Sequence, residues 1–132
     1  GILRFYPYTG GNSRQENSMV ILFESENCVI LITGDLDMAG ERRLLRQGVL
    51  PKTDILVVGH HGSKYSTCPE LLETTQPELA VISVGAKNRY GHPAQELLDR
   101  LEETGCDIRR TDWEGTILIR REDSGKKTRA GG

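Results

Sequence analysis

Aromatic side chains are scarce: Phe, Trp and Tyr together make up 5% of the 132 residues. Aliphatic side chains must therefore fill most of the interior. Long hydrophobic runs are missing too. Stretches such as Met19 to Phe23 and Cys28 to Thr33 fall far short of the ~20 apolar residues of a membrane-spanning helix. The opening Ile2-Leu3-Arg4-Phe5-Tyr6 is expected to be a strand rather than a signal peptide. A basic excess is lacking: 17 Lys and Arg stand against 19 Asp and Glu, for a net charge of −2. Surfaces that hold duplex nucleic acid by charge carry such an excess. Its absence argues against a simple DNA-binding module, but not against an enzyme that reaches phosphodiesters through a metal. The three cysteines, Cys28, Cys68 and Cys106, contain no C-x-x-C spacing. That excludes a zinc ribbon and offers no disulfide framework, so they read as buried or half-buried thiols.

What is present has the size of one domain or a large piece of one, with no internal repeat. Residues 1–121 are expected to form one unit, and Glu122 to Gly132, rich in Gly, Lys, Arg and Ser, a disordered tail. Ile2 to Tyr6 is followed by a polar loop from Thr9 to Asn17. Met19 to Phe23 and Cys28 to Thr33 then read as a hairpin. Asp37 is placed to cap a helix from Met38 to about Arg46, with Leu44, Leu45 and Val49 facing inward. Asp54 to Gly59 and Leu79 to Val84 read as strands buried on both faces, separated by a short helix from Pro69 to Thr75. Pro93 suits a first helical position, and Leu97, Leu98 and Leu101 form the inward stripe of that helix up to Gly105. Cys106 to Arg110 and Thr116 to Arg120 read as closing strands. The order β-β-β-α-β-α-β-α-β-β implies an α/β layered fold.

Three of the apolar runs end in polar side chains. Val29 to Gly34 leads to Asp35, Ile55 to Gly59 leads to His60-His61-Gly62-Ser63, and Leu79 to Val84 leads to Gly85 through His92. In layered α/β folds, groups beyond the carboxyl ends of neighbouring strands converge on one crevice. All three histidines of the chain occupy such positions. An Asp after Gly is ordinary turn chemistry, but Asp37 is the better cap, and a carboxylate at a strand end can serve two divalent cations. Neutral imidazole suits zinc and manganese. Either His60 or His61 is a candidate ligand, the other being a candidate proton donor or an orienting partner. His92 is a candidate for proton transfer, and Lys87, Asn88 and Arg89 for contact with substrate phosphate.

Taken together, Asn17-Ser18, Leu31-Ile32-Thr33-Gly34-Asp35, Val57-Val58-Gly59-His60-His61-Gly62-Ser63 and Ile82 through Pro93 resemble the metallo-β-lactamase-like domain at the C-terminus of ComEC-type competence proteins. The resemblance spans roughly residues 2 to 121. It implies an αββα sandwich with a hydrolase site of one or two metals. Asp35 takes the place of the metal-bridging aspartate, and His60 or His61 that of the last metal-binding histidine. It also implies a parent that is a membrane channel importing single-stranded DNA through the bacterial cytoplasmic membrane. The domain would degrade the non-imported strand, with the outer side favoured. The H-x-H-x-D-H motif of that superfamily is absent, and the element order matches only the C-terminal half of the sandwich. The chain is thus expected to carry part of a donor set. Zinc sites use at least three protein ligands, so zinc or manganese should bind weakly or not at all without the N-terminal remainder, and the chain alone should have little activity. A degenerate scaffold domain on the channel, or a hydrolase of another ester, are the alternative readings.

Overall fold

The structure is a computed structural model that describes residues 1–6, 19–48, 50–121 and 127–130. The loop expected from Thr9 to Asn17, the Asn17-Ser18 string and Val49 lie outside the described residues. Six strands form one sheet in the order β1 (Ile2–Tyr6), β2 (Val20–Glu24), β3 (Val29–Ile32), β4 (Ile55–Val57), β5 (Leu79–Ile82) and β6 (Asp107–Arg110). The first three are antiparallel and β3 through β6 are parallel.

Helices α1 (Met38–Gln47), α2 (Pro69–Thr75) and α3 (Gln95–Glu103) make the crossovers between the parallel strands. Each new strand is added on the same side of the last. Crossovers of one hand then put all three helices on one face of the sheet. The core follows from this. Leu22, Leu31, Leu56 and Ala80 are register partners across four strands. They are buried with Leu44 of α1, Leu71 and Leu72 of α2, and Leu97 and Leu101 of α3. Alternation sends the intervening residues to the opposite face. There Ile30, Ile55, Val57 and Val81 join Ile117 and Ile119 in lining an apolar cavity of about 420 Å³.

The α/β alternation and the Asp37 cap, whose carboxylate accepts from the Gly40 N–H at 3.0 Å, agree with the sequence pattern. Four details differ. Pro93 is not the first helical residue: the Ala94 N–H donates to the Gly62 carbonyl at 2.9 Å, so the backbone stays extended there and α3 starts at Gln95. Between the closing strands lies a one-turn helix, α4 (Thr111–Glu114). It is wrapped onto β6 by the Arg109–Glu114 and Arg110–Asp112 ion pairs, with the Arg110 guanidinium 3.6 Å from the Trp113 ring centroid. The strand after it, β7 (Leu118–Arg121), does not join the main sheet. Its partner is β8 (Lys127–Ala130), inside the segment expected to be a disordered tail. Backbone pairing needs no apolar side chain, which is why the polar composition of the tail hid β8.

Truncating Leu56 to Ala removes a fully buried side chain from the helix-covered face. Urea denaturation should record a loss of about 2–5 kcal/mol. Leu3 on the edge strand is more than half exposed, so Leu3→Ala should stay within about 0.5 kcal/mol. Equal losses would mean that the two faces of the sheet are equally covered.

Candidate metal centre

The carboxyl ends of β3, β4 and β5 open into a single crevice of about 810 Å³. It is lined by Asp35, His60, His61, Ser63, Lys64, Tyr65, Tyr90, His92 and Ala94. Asp35 lies within a turn closed by the Leu36 N–H to the Thr33 carbonyl, with Gly34 at φ 64°. The Gly34 carbonyl accepts from the His60 N–H at 2.7 Å, which ties the Asp35 turn to the histidine turn. Gly59 permits that approach: a Cβ there would lie 2.8 Å from Thr33 Oγ1.

His60 and His61 both have left-handed backbone, at φ 49° and 53°, a conformation that two successive non-glycine residues hold only when their surroundings impose it. The result is that the two rings part company. His61 Nδ1 is 2.8 Å from the Ser83 carbonyl, which can only accept, so Nδ1 donates there and Nε2 is the ring atom turned to the crevice. Nε2 stands 4.0 Å from Asp35 Oδ1. Imidazole fixed in this way through its other nitrogen is the arrangement seen in metal-ligating histidines. Ligand bonds of about 2.0–2.2 Å from nitrogen and carboxylate oxygen would span the gap between the two atoms. His60 has a buried Nδ1 without a hydrogen-bond partner, and its ring lies edge-on to His92 at 5.9 Å. His92 is held below its ordinary pKa by burial first and then by the two neighbouring histidines.

Of the other expected substrate contacts, Asn88 faces the backbone of its own loop. Its amide donates to the Gly85 and His92 carbonyls and accepts from the Tyr90 and His92 N–H groups. It therefore sets the position of His92. Lys87 and Arg89 are exposed on the same loop and do not line the crevice. Lys64, which no sequence motif marks, does. Among the described residues no three His, Cys, Asp or Glu side chains gather closely enough to hold a metal ion by themselves.

The segment after the histidines is gripped from two sides. The carboxylate of Glu41, fully buried on α1, accepts from the backbone N–H groups of Thr67 at 2.6 Å and Cys68 at 2.7 Å. Arg100 of α3 donates to the carbonyls of Lys64, Ser66 and Thr67. Ser66 Oγ reaches back to the Gly59 carbonyl at 2.8 Å. Neither Glu41 nor Arg100 was legible as part of the site. A Glu in the first turn of a helix reads as a solvated charge complementing the helix dipole.

The fold and crevice define a mixed α/β domain whose candidate site lies at the carboxyl edge of a largely parallel sheet. No protein-family model matches the chain. It is 41% identical over 108 residues to ComE operon protein 3 of Bacillus subtilis, an alignment covering 82% of this chain and 14% of that protein. It is 37% identical over 101 residues to Competence protein ComA of Neisseria gonorrhoeae, covering 76% and 15%. It is 35% identical over 103 residues to Recombination protein 2 of Haemophilus influenzae, covering 78% and 13%. The chain is homologous to a segment of these ComEC-type proteins and spans about one seventh of their length. No helix among the described residues is long and apolar enough to cross a membrane.

Two substitutions test the geometry. Burial pushes the Glu41 carboxyl from its ordinary 4.5 up to about 7, against the lowering effect of the Cys68 and Thr67 N–H groups. The folded chain thus holds a proton there that the unfolded chain has released. The stability this group confers is full below about pH 4.5 and is lost as pH rises through 7, a decline on the order of 3 kcal/mol. Glu41→Gln should flatten that slope. It should also cost about 1–3 kcal/mol at low pH, because one amide N–H then faces a backbone N–H. At Gly62, φ is 85° and a Cβ would sit 2.7 Å from the Pro93 Cβ. Gly62→Ala should therefore destabilise the fold by about 1–3 kcal/mol and shift the His60 and His61 ring resonances. Unshifted rings would mean that the turn is not what orients them.

Proposed function

We propose that this chain contributes part of a metal-dependent phosphodiester-hydrolysing centre in a DNA-uptake protein, acting on the strand that is not imported. One observation carries the reading. Ser83 fixes His61 so that its Nε2 faces the Asp35 carboxylate across 4.0 Å. A sheet whose helices lie on one face is also what half of an αββα sandwich would present. The names of the relatives speak of competence and recombination.

Asp35 and His61 are the residues that would hold zinc or manganese, with the remaining donors supplied by the N-terminal remainder of the parent. A divalent cation held there would supply Lewis-acid polarisation of the phosphodiester and an acidified water. The chain's own residues do the rest. Lys64 presents an ammonium to phosphate oxygen, Asn88 keeps His92 at the crevice, and the His92 ring is the group for proton transfer. The parent is then a channel in the cytoplasmic membrane, with this domain on its outer side and single-stranded DNA as substrate. The absence of a three-donor cluster among the described residues favours a second reading, a non-catalytic scaffold on that channel.

The two readings separate in the parent protein. Manganese or zinc should support cleavage of single-stranded DNA. Asp35→Asn and His61→Ala should each cost more than the roughly 10–100-fold lost when a group that only orients a ligand is removed. His60→Ala should cost less. Undiminished cleavage in Asp35→Asn would remove the site, and no cleavage with any divalent ion would favour the scaffold. The 132-residue chain alone should lose zinc on dialysis, and stoichiometric retention would mean that its donor set is complete.

A further inference from the structure

The crevice carries two aromatic rings that neither the core nor the metal-binding atoms require. Tyr65 is 63% exposed and Tyr90 is 81% exposed, and both line the same cavity as Asp35, His60, His61 and His92. They come from different loops, one following β4 and the other following β5. A loose loop does not account for their exposure. The Tyr65 backbone is fixed at both ends: its N–H donates to Ser63 Oγ at 3.2 Å, and its carbonyl accepts from the Met38 N–H at 2.7 Å. The Tyr90 N–H is held by Asn88 Oδ1. The backbone under both rings is thus set and the Tyr90 ring also lies 5.7 Å from the His92 ring, so part of the ordering cost of holding a flat ligand is already met. A cation accompanies them, since Lys64 Nζ lies 5.1 Å from the centre of the Tyr65 ring.

We propose that Tyr65 and Tyr90 are stacking platforms for unpaired nucleobases, with Lys64 taking the adjoining phosphate, and that they make the crevice selective for a single strand. This rests on the phosphodiester reading above and adds what that reading lacks, a reason for the strand to be single. A ring stacks on the face of a base, and a duplex already covers both faces of each base with its neighbours. Stacking is indifferent to sequence because every base has such a face, and it provides attraction where net basic charge is missing. That agrees with a chain of net charge −2. The hydrogen-bonding and cationic lining of His61, Ser63 and Lys64 around the two rings suits a charged strand better than an apolar protein surface.

The test is equilibrium binding by the full 132-residue chain in EDTA, so that no hydrolysis is required. The probes are a fluorescein-labelled oligothymidylate, an abasic phosphodiester strand of equal length and charge, and a duplex. The oligothymidylate should bind more tightly than either of the others. Tyr65→Leu and Tyr90→Leu should each weaken its binding by about five- to a hundredfold and leave the abasic strand unchanged. Tyr65→Phe and Tyr90→Phe keep the ring and should bind like the parent sequence. Equal binding of abasic and base-bearing strands, or leucine variants that bind like the parent sequence, would overturn the proposal. Base-dependent binding that both leucine variants weaken would uphold it even if nuclease assays on the parent protein fail.

Discussion

A buried carboxylate between two backbone amides is the constraint on which the site depends. Glu41 reaches from α1 to the N–H groups of Thr67 and Cys68, where α2 begins. Thr67 and Cys68 stand just ahead of the helix, Cys68 as its N-cap, and the acceptor for their N–H groups comes from another helix. Across the same segment, Arg100 of α3 collects the carbonyls that point the other way. A buried peptide group without a partner is expensive. Here both the donors and the acceptors of one irregular stretch are answered by side chains from the two flanking helices. The stretch is thereby held in one conformation, and through Ser66 and Gly59 so is the turn that carries His60 and His61. The local cost appears in Cys68, whose thiol is pushed up to about 12 by burial and by the neighbouring Glu41 charge. It is a structural thiol without nucleophilic character.

The sheet topology supplies the other half of the argument. Because β3 through β6 are added in one direction, three consecutive crossovers return over the same face, and three consecutive loops open at the same edge. The loop after β3 delivers Asp35, the loop after β4 the histidine pair, and the loop after β5 both Ser83 and His92. The end of β5 is fixed in turn by Thr111, whose hydroxyl accepts from the Val84 N–H and donates to the Val84 carbonyl. Ser83 follows the last register pair of β5, Ile82 with Arg110, and its carbonyl orients His61. The ligand-like geometry of one imidazole therefore depends on a hydroxyl at the start of α4. That is the kind of outer support on which metal sites commonly rely.

Much of this was readable from the residues alone. Apolar runs ending in Asp35, in His60-His61 and in the stretch before His92 marked three strand ends, and parallel α/β order says that strand ends meet. The apolar runs and helical patterns marked the strands from Ile2 to Arg110 and the three crossover helices to within a few residues. The Asp37 cap followed from its position before an amphipathic run. These are local signals, since each is set by the chain's own periodicity or by a side chain bonding to its own backbone.

What the sequence could not determine depends on groups far apart in it. His60 and His61 are adjacent and chemically identical, so only the Ser83 carbonyl, 22 residues on from His61, distinguishes them. Glu41 reads as a surface charge until the fold brings residues 67 and 68 over it. Asn88 reads as a substrate contact until its loop closes on it, and β8 is invisible without β7 to pair with. The sequence by itself determined the layers and the edge at which the candidate site residues gather, because periodicity and capping are short-range. Only the tertiary structure decided which atom points where, because hydrogen-bond partners are chosen across the fold.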